Sequence, residues 1–197
     1  MKIPSSVFLI IVFFQLSLSS FARQSDNDSE FNSSALNRIR LLFYEAVEDE
    51  DKLNELESIV QSKFLGNSKN YNPIILAYLG GIEALKGKHA FNPFSKLSHV
   101  ISSLDILEKA IDRDGNNLEI RFIRFSILHH LPGILGYGKE REDDIREICY
   151  QLSKKDYARY DPKLQKNVIE FMLESERLDK TQILQLKKLA VALASND

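Results

Sequence analysis

Apolar residues return every three or four positions along nearly the whole chain after residue 33, the spacing that gathers them on one face of an α-helix. Leu36, Ile39, Leu42, Phe43, Ala46 and Val47 predict a first helix, with Ser34 as its cap. Leu53, Leu56, Ile59, Val60 and Phe64 predict a second, ending at Gly66-Asn67. Pro73 and Pro93 occupy favoured first-turn positions and open helices over roughly 73–87 and 93–113. Asn72 caps the former, and Asp114-Gly-Asn-Asn117 closes the latter. A fifth runs from about 118 to Leu131, ahead of Pro132. Three more cover roughly 140–154, 161–177 and 179–195. No segment alternates with period two between hairpin turns, so no sheet is expected. Eight helices joined by short polar turns predict a single all-α domain of stacked helical hairpins over 34–197.

The chain starts differently. Lys2 precedes the apolar run at 7–14 (VFLIIVFF), and small residues stand at Ser20 and Ala22. A positive start, a short apolar stretch and a small-residue site predict a secretory signal over 1–22, cut after Ala22. A membrane span needs about 20 apolar residues, and this run is shorter and gives way to Gln15 and Ser17. An uncleaved anchor is the alternative. Residues 23–33 (RQSDNDSEFNS) are polar, rich in Ser, Asp and Asn, and read as a disordered leader. The expected address is exported, periplasmic or secreted, with no membrane span after the signal is removed. Cys149 is the only cysteine, so no internal disulfide forms. It falls on the apolar side of REICYQL and reads as a small buried hydrophobe.

Composition narrows the function classes. The chain has 197 residues, enough to bury one sizeable core, and a formal charge of −2 lacks the basic footprint of nucleic-acid binding. The charge is uneven, with ten acids against three bases between residues 25 and 57. Glu48-Asp-Glu-Asp51 reads as a solvated turn that favours the start of the following helix. It lacks the spacing of a calcium loop. Docking of a basic partner is its other reading.

Tyr78-Leu79-Gly80 in the third helix and Ala110-Ile-Asp-Arg-Asp-Gly-Asn-Asn117 at the end of the fourth carry a resemblance. They are similar to the Leu-Gly of the first helix and the closing A-x-x-x-x-P-x-x of the tetratricopeptide repeat, with Gly115 where Pro is usual. The stretch 72–137 also resembles a group of uncharacterised exported bacterial proteins with such repeats. The resemblance implies a tetratricopeptide-like α-solenoid and attaches no activity to it. Gly80 and Ala110 are 30 positions apart, against about 19 in the 34-residue unit, and the surplus falls at 89–94. The residues make a separate argument. Glycines inside a helix cost about 1 kcal/mol each against Ala, so Gly80 and Gly81 predict a helix contact too close for side chains. Ala110 offers the matching small residue.

Motifs that promise chemistry are incomplete. Gly133-Ile-Leu-Gly-Tyr-Gly138-Lys139 fits G-x-x-x-x-G-K, but Glu140 stands where a phosphate loop needs Ser or Thr, and a helix end precedes it rather than a strand. It reads as a loop between helices. His129 and His130 are adjacent, so on a helix they point about 100° apart and do not face one ion. No cofactor or metal is implied.

Glu83, Arg121 and Arg124 form the most suggestive set. The two arginines are three apart and share a helix face. In stacked hairpins the first helices line the inner surface, which would bring Glu83 near them. One reading is an internal ion-pair network. The other is an anion-binding groove, since guanidinium forks suit carboxylates. Tyr71, Tyr78, Phe91, Phe94 and Tyr137 would supply its aromatic walls. The candidate partner-binding residues are therefore Glu83, Arg121, Arg124, Tyr78 and Tyr137, with no catalytic or metal residue among them. The expected function is an exported, non-catalytic scaffold that binds a protein or peptide in a helical-repeat groove. The alternatives are a cell-envelope hydrolase using Glu83 and a histidine, and an envelope-structure protein without a discrete ligand.

Overall fold

A computed structural model describes residues 27–64, 72–156 and 159–194 of the chain. The signal expected over 1–22, the first leader residues and Tyr71 lie outside the described residues. Among these, eight α-helices and no strand are found. They are α1 (Asn27–Glu45), α2 (Glu50–Phe64), α3 (Pro73–His89), α4 (Pro93–Asp114), α5 (Leu118–His130), α6 (Gly138–Ser153), α7 (Pro162–Glu174) and α8 (Lys180–Ala194). The all-α expectation holds. Helix α1 begins at Asn27, so Ser34 sits inside it rather than capping it, and the expected leader overlaps its first turns. A polar stretch carries no apolar period from which its helical turns can be read.

Most starts follow from side chains that accept the first orphan N–H groups of a helix. Asn72 Oδ1 accepts from Ile74 N at 3.1 Å and Asn92 Oδ1 from Ser95 N at 2.8 Å, each just ahead of a first-turn proline. Asn117 Oδ1 accepts from both Glu119 N and Ile120 N. In the acidic turn, Asp49 Oδ1 accepts from Asp51 N and Lys52 N, as a turn that launches α2 should. The G-x-x-x-x-G-K string forms a 3-10 turn (Gly133–Leu135) and the start of α6, with Gly136 at φ 84°. It links two helices.

Contacts group the chain into two compact units, 23–154 and 155 onward, where the sequence alone suggests one continuous domain. In the first, α1 packs on α2, α3 on α4 and α5 on α6, giving three consecutive hairpins. Helix α3 also touches α1, α2 and α5, and α4 touches α5. This pattern is consistent with a helical-repeat stack. The first half of α3 is apolar on every side, and Ile75, Leu76, Tyr78, Ile82 and Leu85 are all buried, as a helix segment surrounded by others must be. Leu and Ile side chains buried to this degree contribute about 1.5–3 kcal/mol each.

The glycine pair marks close approaches. A Cβ on Gly80 would stand 2.7 Å from Leu107 Cγ and 3.1 Å from the Ser103 carbonyl oxygen, both on α4. One on Gly81 would stand 2.5 Å from the Phe43 ring on α1. Ala110 is fully buried, and so is Cys149 to within a few per cent.

In the second unit α7 packs on α8. Val168, Ile169 and Met172 form the buried stripe of α7, and Leu186, Leu189 and Leu193 that of α8. Asp161 caps α7 through Lys163 N at 2.7 Å. Asp179 and Gln182 bond reciprocally, Asp179 N to Gln182 Oε1 and Gln182 N to Asp179 Oδ1, a capping box that starts α8 where expected.

Candidate functional site

The set expected around Glu83 does not assemble. Arg124 grips Asp144 with two parallel bonds, Nε to Oδ2 and Nη2 to Oδ1, both at 2.8 Å. Arg121 Nη1 reaches the same Oδ1 at 2.9 Å, and its Nε donates to the Gly115 carbonyl at 2.6 Å. Asp144 is fully buried, so the two guanidiniums are committed to tying α5 to α6. The ion-pair partner is Asp144 on α6, not Glu83 on α3.

Tyr78 is likewise committed inward. Its hydroxyl donates to Glu119 Oε1 at 2.6 Å, and its ring meets Phe43 edge-on at 5.4 Å. The Glu119 carboxylate is also held by Arg40, Nε to Oε1 at 2.7 Å and Nη2 to Oε2 at 2.6 Å. Burial, reinforced by the charge of Glu119, holds the Tyr78 hydroxyl well above its ordinary pKa, so it remains a donor. This triad joins α1, α3 and α5. Neither Arg40 nor Glu119 stood out in the sequence. Tyr137 is half-buried at the start of α6 and packs against the main core. Among the described residues no group of three or more His, Cys, Asp or Glu is placed to hold a metal ion.

Glu83 belongs to a different cluster. Its Oε2 lies 2.9 Å from His99 Nδ1 and its Oε1 3.1 Å from Lys86 Nζ, which also reaches Glu57 Oε1 at 2.6 Å. Partial burial opposes ionisation of Glu83, but His99 and Lys86 outweigh it and lower its pKa. The folded chain therefore holds this proton less tightly than the unfolded chain does. The resulting stability is complete above the ordinary glutamate pKa of about 4.3 and is lost as pH falls through the lowered folded value. Glu83→Gln is expected to flatten the acid side of the melting temperature–pH curve. An unchanged acid slope would show that the cluster contributes nothing.

Lys86 and His99 look onto an open cleft of about 410 Å³. Its lining adds Glu50, Leu53 and Asn54 of α2, His89 of α3, the turn 90–92 and Ser95 of α4. His89 Nε2 donates to the Ala46 carbonyl at 2.9 Å, so its ring is anchored rather than poised. Beside the cleft the chain turns its apolar residues outward. Phe91 is 101% exposed and Phe94 86%, and on the next turns of α4 Leu97 and Ile101 are nearly half exposed. Residues 94, 97 and 101 form a stripe on the side of α4 opposite Ser103 and Ala110, while Leu104 and Leu107 continue the buried side toward the edge of the stripe. The signal for this surface was in the sequence, because the first half of α4 has apolar positions on two faces and only one is needed for packing.

No protein-family model, curated protein or solved structure matches this chain.

Proposed function

We propose that this chain is a non-catalytic scaffold of stacked, tetratricopeptide-like helical hairpins, and that it binds a protein or peptide partner on the outward face of the α3–α4 hairpin. The observation that carries the reading is the run Phe91, Phe94, Leu97 and Ile101, apolar and in solvent. Two phenylalanines alone present about 300–500 Å² of apolar surface, the size of the largest apolar patch on a typical monomer, which is often functional. The docking face differs from the groove first expected, whose arginines are taken up by Asp144. A random peptide library selected on the folded protein is expected to yield binders that fail on Phe91→Ser/Phe94→Ser at unchanged melting temperature. A selection without any such binder would sink the reading.

Export is part of the same proposal. It rests on Lys2, the apolar run at 7–14 and the small residues Ser20 and Ala22. N-terminal sequencing of the protein from its host compartment is expected to begin at Arg23. Recovery of the full chain in the membrane fraction would replace the signal with an anchor.

A hydrolytic reading has one observation in its favour, the 2.9 Å contact of Glu83 with His99 at the cleft. A carboxylate that orients a histidine is one part of a nucleophilic site. No hydroxyl or thiol among the described residues donates a hydrogen bond to His99. If the dyad is catalytic, His99→Ala abolishes hydrolysis of an activated ester. In the scaffold reading that variant changes only the acid stability described above.

A further inference from the structure

Building on the scaffold reading, we infer that the occupant of the α4 face is an amphipathic helix of a partner protein, apolar at one end of its docking side and basic at the other. The outward stripe of α4 has two halves. After Phe94, Leu97 and Ile101, the same three- and four-residue spacing continues through Asp105, Glu108 and Asp112. At about 100° per residue, these six positions fall within roughly 80° of arc. All six are exposed, and none of the three acids makes an ion pair with the described residues. Asp112 also stands in the last turn of α4, where the helix dipole disfavours negative charge. A cationic partner relieves that cost while the apolar end supplies anchors.

Other occupants fit this pattern poorly. Two copies paired in parallel through α4 would set acids against acids. Paired antiparallel over the full stripe, they would set Phe94 against Asp112. An anionic lipid surface is repelled by the same carboxylates. An added strand has no edge to join, since the described residues contain no strand. A helix that places anchors at i, i+3 and i+7 matches Phe94, Leu97 and Ile101 in spacing. From residue 94 to residue 112 the stripe runs about 27 Å, the length of an 18-residue helix.

The test uses the folded chain and synthetic helices of about 18 residues, long enough to cover the stripe. One probe carries Leu at three successive face positions and then Lys at three. A second has the reverse order, to allow either chain direction, and a third has Glu in place of Lys. The Lys helix is expected to bind in one of its two orders, more weakly as salt rises. The variant Asp105→Asn/Glu108→Asn/Asp112→Asn is expected to bind it about tenfold more weakly and to lose the salt dependence. Phe94→Ser is expected to weaken binding at every salt concentration, with melting curves confirming that both variants fold. Equal binding of the Glu helix, or no effect of the Asn variant, overturns the basic partner and leaves the scaffold reading to the library selection. Self-association that Phe94→Ser abolishes makes a second copy the occupant. Co-sedimentation with phosphatidylglycerol vesicles that Phe94→Ser abolishes makes it a lipid surface. Either result overturns the inference. If none of the helices binds, it falls as well, and the scaffold reading falls with it only if the library also yields no Phe94-dependent binder.

Discussion

Asp144→Ala is expected to lower the stability of the unit formed by α1 to α6 by about 3–5 kcal/mol. The carboxylate is fully buried and accepts three charge-assisted bonds, two from Arg124 and one from Arg121. Removing it leaves two guanidiniums whose side chains are only 10% and 16% exposed, with the Gly115 carbonyl as the one acceptor these contacts leave to Arg121. The pair need not be a net gain over an apolar contact, because desolvating the charges offsets much of their attraction. Its rupture is costly all the same, since a guanidinium out of water has nothing to replace the carboxylate. Thermal melts should fall by about 10–20 °C for a unit of this size. Asp144→Leu combined with Arg124→Met should recover a large part of that loss, because the shape is refilled and one stranded charge is gone. A melting temperature within a degree or two of wild type for Asp144→Ala would mean that water reaches both arginines and that the tie is ornamental.

How much of this was legible beforehand depends on the range of the interaction. Helix positions were readable because the decisive residues are neighbours: Asn92 and Pro93 open α4, and Asp179 and Gln182 open α8. The glycine pair was readable too, since a residue that weakens a helix needs a packing reason, and Leu107 and Phe43 supply it. The polar ties were not. Arg40 and Glu119 are 79 positions apart, and nothing local tells a carboxylate destined for burial from one destined for solvent. Glu83, Glu119 and Asp144 were equivalent acids on helices with similar faces. Only the packing of α3, α5 and α6 decides which of them Arg121 and Arg124 meet. The α4 stripe is an intermediate case. Its apolar spacing was visible, but whether Phe94 and Ile101 faced a neighbour or solvent turned on which side of α4 packs on α3.

Gly80→Leu tests the contact that sets that side. Helix propensity alone favours the change, since a glycine in a helix interior costs about 1 kcal/mol relative to good helix formers. The space forbids it. The first added carbon would lie 2.7 Å from Leu107 Cγ and 3.1 Å from the Ser103 carbonyl oxygen, and three further carbons must still be placed. Leu107 is fully buried, so it moves only by displacing its neighbours, and the Ser103 oxygen belongs to the α4 backbone. Helix α4 must therefore move away from α3 as a body, which exposes apolar surface along the hairpin. Overpacking of this kind typically costs about 1–3 kcal/mol, enough to override the propensity gain. Leu107→Ala in the same chain should return part of the loss, because the methyl groups it removes are the ones the new side chain meets, and contacting residues couple in this way. If Gly80→Leu melts at or above the wild-type temperature, the helices are not in contact there, and the orientation that turns Phe94, Leu97 and Ile101 to solvent loses its support.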